Sequence, residues 1–318
     1  MHQGLNTLAV VIEGPERLAL DRLALQSPAD DDLVVATEWS GISTGTERLL
    51  WSGKMPAFPG MGYPLVPGYE SVGRVIAVGR NVQQRRVGER VFVPGARCFG
   101  EVRGLFGGAA SQLVVPASRV TPVAESLGER AVLLALAATA HHALAAPQAR
   151  PPELIVGHGV LGRLLARISI ALGASPPTVW ERNALRGEGA CGYAVCAPDD
   201  DARRNYGAVY DVSGDAGILD SLIGRLAPGG ELVLAGFYTQ KMSFDFAPAF
   251  MREARIRVAA EWKDSDLAAV IDLLAKERLS LDGLITHRQE ATAADQAYRQ
   301  AFGDAECLKM ILDWRHAA

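Results

Sequence analysis

"PPELIVGHGVLGRLLARISIALG" (residues 151–173) runs from a short apolar stretch through three spaced glycines into a segment whose apolar residues recur at helical spacing. Gly157 permits a tight turn, Gly159 lets backbone N–H groups approach a pyrophosphate, and Gly162 lets the next helix pack closely on the strand. Leu164, Leu165, Ile168, Ala171 and Leu172 mark one face of that helix. Its positive N-terminal end then points at the phosphates, with His158, Val160 and Leu161 filling the turn. Glu181, at the end of the next apolar segment "TVWE", is placed to accept hydrogen bonds from ribose hydroxyls and to repel a 2′-phosphate, which favours NAD over NADP. Arg182 is the neighbouring feature that suits NADP. The competing reading is a glycine turn that serves only strand-to-helix packing.

On both sides of this turn the pattern predicts two kinds of domain. Before about residue 122, short strands separated by Gly and Pro ("DLVVATEW", "SVGRVIAVG", "ERVFVPG", "SQLVVPA") read as an all-β module. From residue 123, "LGERAVLLALAATAHHAL" reads as a helix, and helices then alternate with the strands "ELIVG", "TVWE", "AVYDVSG" and "GELVLAGF". Such alternation predicts an α/β fold with a parallel sheet covered by helices on both faces. The tail after residue 283 carries one helix and a final strand that could return to the first module. A methyltransferase shares the parallel sheet, but it needs an acidic residue just before its glycines, where this chain has "LIV".

The chain has 318 residues, 49% of them apolar and 21% charged, enough for two domains with cores of their own. A formal charge of −4 with no polybasic run gives no footprint for nucleic acid or an anionic membrane. Cys98, Cys191, Cys196 and Cys307 include no C-x-x-C pair, which argues against a disulfide framework and a thiolate zinc site and fits a reducing cytoplasm. The opening residues lack the regions of a signal peptide. The longest apolar stretch, residues 131–146, is too short to span a bilayer and is broken by two histidines.

The β module, the glycine turn, "YDVSG" and the returning tail together resemble the medium-chain dehydrogenase/reductase superfamily over nearly the whole chain. The resemblance implies a GroES-like β-barrel catalytic domain (1–122 and 284–318) and a Rossmann domain with a doubly wound sheet (123–283), with Ser213 and Gly236 joining the turn at the cofactor. In zinc-dependent members, "GxC" and "GHE" segments supply metal ligands. The matching stretches here, "SGISTGTE" and "PGYESVG", put Ser43 and Tyr69 at those positions, and the third ligand aligns near Ala135. None is a good zinc ligand. The lobe around a structural zinc is reduced to "GARCFGEVRG" with Cys98 alone, so no metal is expected at either site. A narrower resemblance, to the hydroxyethyl-bacteriochlorophyllide dehydrogenases, is carried by "SGISTGTERL", "PAFPGMGYPLVPGYE", "LIVGHGVLGRLLAR", "PAFMREARIRVAAEW" and "CLKMILDW". It implies oxidation of the C3 1-hydroxyethyl arm of a magnesium tetrapyrrole to acetyl, with hydride passing to NAD, in a cytoplasmic protein that could touch photosynthetic membranes peripherally. A homodimer through "GELVLAGF" is the superfamily's expectation.

A metal-free alcohol oxidation needs another route for the hydroxyl proton. Ser43, Thr44 and Thr46 offer hydroxyls, or else merely cap a turn. Tyr69 offers a phenol, or else fills the vacated zinc volume. Glu70 holds the neighbouring loop or acts directly. His141 and His142 suit a base or an axial ligand to magnesium, or are satisfied helix histidines. The run "KMPAFPGMGYPLVPG" (54–68) reads as a semi-rigid wall presenting Met55, Phe58, Met61 and Tyr63 to a flat apolar ligand, or as a surface loop. Two rivals stand beside the dehydrogenase: a zinc-free quinone reductase using NADPH, and a tetrapyrrole carrier without activity.

Overall fold

The apolar residues before the glycines form the strand Leu154–Val156, and those after them the helix Val160–Ala171, in a computed structural model that describes residues 4–317. The strand lies inside a six-stranded sheet, every neighbouring pair of which is parallel. In space the order is Ala194–Cys196, Thr178–Trp180, Leu154–Val156, Tyr206–Asp211, Leu226–Leu234, Arg255–Val258. Counted in chain order this is 3-2-1-4-5-6, the doubly wound dinucleotide-binding arrangement, whose switch point falls between Leu154–Val156 and Tyr206–Asp211. Leu154, Val209, Leu222, Leu232 and Trp180 are buried beneath the helices of this sheet. Each such side chain contributes about 1.5–3 kcal/mol of burial.

By chain contacts the molecule divides into two units, residues up to Leu134 with those from Leu284 on, and Ala135–Gly283. The first unit therefore runs past residue 122. The 3-10 segment Glu125–Leu133 stays with it because Arg74 donates to the Glu125 carboxylate, Arg90 to the Glu125 carbonyl, and Arg288 to Glu129. The single helix read over 127–144 is thus two elements that meet at Leu133 and Leu134, a 3-10 segment kinked internally where Gly128 takes φ 50°, and an α-helix only over Leu134–Leu144. In this unit the long strand Asp32–Ile42 is the axis of a seven-stranded sheet. It pairs antiparallel with Ser71–Val78, Gln112–Pro116 and the returning Met310–Asp313. The hairpin Asn6–Gly14 and Arg17–Ala24 begins a second, four-stranded sheet.

Three further differences matter for the site. "GELVLAGF" belongs to an internal strand, Leu226–Leu234, because Arg255–Val258 pairs outside it and forms the sheet edge. In "RIRV" Arg255, Ile256 and Val258 are exposed and Arg257 is half-buried, and sequence patterning missed the strand. The helix after the glycines ends at Ala171, leaving Leu172 exposed, while Arg163 and Arg167 are buried in it. No helix among the described residues is long and apolar enough to cross a membrane.

Candidate active site

In the second unit the glycine turn has the geometry its spacing implies. Gly157 takes φ +106°, a left-handed conformation that favours glycine. A Cβ on Gly162 would lie 1.9 Å from the Gly157 carbonyl oxygen, so only glycine lets helix and strand close. Gly159, the N-cap, supplies no side-chain cap and has open space where a Cβ would stand, and the first N–H groups of a helix lack intrahelical acceptors. These are the features a bound pyrophosphate requires.

Glu181 is fixed by the turn it serves. One carboxylate oxygen accepts from the His158 N–H at 3.1 Å, and the other accepts from the Asn183 N–H at 2.9 Å. Each oxygen keeps a lone pair for a hydroxyl donor. Arg182 is exposed and pairs loosely with Asp215 at 3.6 Å. The His158 ring is buried, with Nδ1 on the Arg186 carbonyl at 2.6 Å and Nε2 on the Tyr193 hydroxyl at 2.9 Å. Burial lowers its pKa, and the neutral side chain ties the turn to the following loop. Val160 is buried and Leu161 half-buried. Across the switch point, the buried Asp211 accepts from the Ser213 N–H and from the Tyr238 hydroxyl at 2.8 Å, which shapes the backbone beside exposed Ser213 and half-buried Gly236.

In the first unit, Ser43 follows the strand Asp32–Ile42, and Thr46 opens a short helix, Thr46–Ser52, where the sequence reads as a turn. The Tyr69 hydroxyl lies 2.7 Å from Ser43 Oγ and is also hydrogen-bonded by the Thr46 side chain. Thr44 is half-buried beside them. Burial first, then the neighbouring Glu70 charge, pushes the Tyr69 phenol far above its ordinary range. It therefore stays protonated at neutral pH and can act as a hydrogen-bond donor.

Behind these hydroxyls lie two buried carboxyls. Glu70 Oε2 accepts from Lys309 Nζ at 2.6 Å, and Lys309 also donates to the Ile42 carbonyl at 3.2 Å. A Cβ on Gly41 would fall 2.1 Å from Glu70 Oε2, so that glycine makes room for the carboxylate. Glu47 accepts from the Ser43 N–H at 3.0 Å and from the Tyr298 hydroxyl at 2.5 Å. Burial above all pushes its pKa up to about 7. Glu47, Tyr298 and Lys309 were not among the candidates. The signals for them were a lone lysine inside the apolar "CLKMILDW" and an acid adjoining the threonine of "STGTE".

His141 and His142 sit side by side in the second unit, their Nδ1 atoms 2.8 and 2.9 Å from the two oxygens of Asp266, so they clamp two helices through one carboxylate. Ala135 is buried and offers no donor atom. Among the described residues no three His, Cys, Asp or Glu side chains are grouped to hold a metal ion. The supposed apolar wall is mostly turned inward: Met55, Met61 and Tyr63 pack on Ile12, Leu50 and Leu65, and Tyr63 donates to the Leu50 carbonyl. Phe58 alone of the four is exposed.

Residues 29–125 match the alcohol dehydrogenase GroES-like domain family. The chain is 55% identical, over 98% of its length and 100% of the relative's, to the 2-desacetyl-2-hydroxyethyl bacteriochlorophyllide A dehydrogenase of Rhodobacter capsulatus. It is 53% identical, over 99% of its length and 100% of the relative's, to the enzyme of the same name in Cereibacter sphaeroides. Among solved structures, a short chain alcohol dehydrogenase of Escherichia coli CFT073 in complex with NADH superposes with a TM-score of 0.84 at 23% identity, over 98% of this chain and 100% of that one.

Proposed function

Since the chain belongs to the family of 2-desacetyl-2-hydroxyethyl bacteriochlorophyllide A dehydrogenases, within the medium-chain dehydrogenase/reductase superfamily, we propose that it oxidises the hydroxyethyl group of a (bacterio)chlorophyllide to acetyl, with NAD as hydride acceptor and without catalytic zinc. An oxidoreductase acting on a CH–OH group with a nicotinamide cofactor is the part common to its relatives' names and folds. The observation that carries the zinc-free reading is the Ser43–Tyr69 hydrogen bond: two positions that hold metal ligands in zinc-dependent members are spent on each other.

Zinc contributes by acidifying the alcohol and stabilising alkoxide, worth several kcal/mol. Here the carbinol carbon of the proposed substrate is attached directly to a conjugated ring, which delocalises positive charge as hydride departs. Less alkoxide character is then needed, and hydroxyl groups that orient the alcohol suffice if the C–H bond is aimed at the nicotinamide. NAD supplies the hydride acceptor. The chain's own contribution is the glycine turn for the pyrophosphate, Glu181 for the ribose, and Ser43, Thr46 and Tyr69 for the alcohol oxygen.

Purified protein given NAD and the hydroxyethyl pigment should shift the pigment's absorption as the new carbonyl joins the conjugated system. Chelators should leave that rate unchanged, and 2-propanol should be a poor substrate. Quinone reduction without a pigment shift would favour the NADPH quinone reductase, and pigment binding without turnover would favour a carrier. For the cofactor, Glu181→Ala should weaken NAD binding about 10- to 100-fold and narrow the gap to NADP, because hydrogen bonds to a charged group are worth about 1.5–3 kcal/mol. A wild-type titration that prefers NADP would refute this assignment.

A homodimer is proposed through the edge strand Arg255–Val258 in place of "GELVLAGF". Its support is the exposed apolar surface there and on the adjoining helix: Val258 and Met251 are 74% and 75% exposed. Light scattering that returns a monomer would exclude it.

A further inference from the structure

On the reading of the protein as a dehydrogenase of hydroxyethyl pigments, on which this rests, we infer that Phe106 determines substrate specificity: its exposed ring is the wall on which the conjugated macrocycle lies while Tyr69, beside it, meets the alcohol. Phe106 is 37% exposed within a buried run, with Leu105 at 7% before it and Gly107 and Gly108 buried after it. A singly exposed apolar side chain is ordinary on a protein surface. Phe106 differs in what it touches and in how firmly it is held. Of the exposed phenylalanines described in the first unit, Phe58 and Phe106, it is the one whose ring packs on Tyr69. The two ring centroids are 5.6 Å apart and the planes stand at 89°. This edge-to-face contact fixes the angle of the Phe106 ring and still leaves more than a third of the residue open.

The backbone beneath the ring is pinned on both sides. The Ala96 N–H donates to the Phe106 carbonyl, and the N–H groups of Leu105 and Gly107 both donate to the Val66 carbonyl, each at 2.9 Å. A Cβ on Gly95 would fall 2.2 Å from the Phe106 carbonyl oxygen, so glycine at that position is what lets the two segments meet. Leu105 packs inward with Ile12, Leu50 and Leu65. A phenylalanine held in this way has little freedom left to lose, so a flat ligand stacks on it at a small cost in ordering. The Tyr69 hydroxyl is 2.7 Å from Ser43 Oγ, which puts the hydroxyls assigned to the alcohol one aromatic side chain away from the exposed ring. In the proposed substrate the carbinol carbon is attached directly to the macrocycle, so an alcohol seated at those hydroxyls brings a broad flat ring to a preformed aromatic face. A small aliphatic alcohol has nothing to lay against it.

Binding without turnover reads this directly. The full chain, without NAD, is titrated with the hydroxyethyl pigment and with a porphyrin that lacks the hydroxyethyl arm, and quenching of tryptophan fluorescence is followed. Phe106→Ala should weaken both ligands about 10- to 30-fold, from lost apolar burial together with lost aromatic pairing. Phe106→Leu keeps apolar bulk without a π face and should fall between, while Phe106→Tyr should bind as the wild type does. With NAD present, Phe106→Ala should raise KM for the pigment by the same factor. A role in packing alone would instead lower the urea unfolding midpoint of Phe106→Ala and leave ring affinity in the folded protein unchanged. Wild-type affinity for both ligands in Phe106→Ala, or a loss that Phe106→Tyr does not recover, overturns the proposal. Porphyrin binding that depends on Phe106 in a protein that leaves the hydroxyethyl group unoxidised supports the wall and overturns the dehydrogenase reading instead.

Discussion

Replacing Lys309 with methionine is expected to cost about 3–5 kcal/mol of stability at neutral pH, because it strands the Glu70 carboxylate in the interior. Neither partner of this pair reaches solvent: Glu70 is 0% and Lys309 is 1% exposed. Glu70 Oε1 already lacks a hydrogen-bond partner, so the carboxylate depends on the ammonium at its other oxygen. Methionine keeps the apolar stem and removes only the charge. Adding Glu70→Gln to Lys309→Met should recover most of the loss, since a neutral amide beside a thioether leaves no buried ion. Urea unfolding of the wild type and the two variants measures this directly. A loss below about 1 kcal/mol in the single variant would mean that the pair does not hold the returning strand to the central one.

At the glycine turn, two substitutions of one methyl each should fail in different ways. In Gly162→Ala the new Cβ meets the Gly157 carbonyl at 1.9 Å, backbone against backbone, so strand and helix must separate and both stability and cofactor binding fall. In Gly159→Ala nothing lies within 4 Å and φ is −73°, so the folded protein keeps its unfolding midpoint. On the proposed cofactor placement its methyl group would enter the space of the pyrophosphate, and NAD affinity should drop about a hundredfold, near 3 kcal/mol. Calorimetric titration alongside thermal unfolding separates the two cases. Equal NAD affinity in Gly159→Ala and wild type would remove the turn from the cofactor site.

The parallel sheet was legible because its cause is local: apolar strands, glycine spacing and helical periodicity sit within a few residues of one another. The edges were not. Arg255–Val258 and His287–Glu290 carry too few apolar residues to announce strands, and only pairing with a neighbour makes them so. Ser43, Thr46 and Tyr69 could be read as a group from short motifs, yet the carboxyl network behind them could not. Glu47 meets Tyr298, and Glu70 meets Lys309, across more than two hundred residues of chain. The register that sets Met310 opposite Ile42 accomplishes this, and no periodicity encodes it.

The central strand of the first unit takes partners from both ends of the chain, while the second unit is one unbroken stretch, Ala135–Gly283. During synthesis the second unit is complete while the first still lacks its last two strands and its last helix. Until residues beyond Leu284 leave the ribosome, Glu47 has no tyrosine and Glu70 has no lysine to receive it, so neither carboxylate has reason to leave water. The interior of the first unit is therefore sealed last, by the tail, and a nascent chain arrested near residue 283 would protect the parallel sheet from protease but leave the β module open.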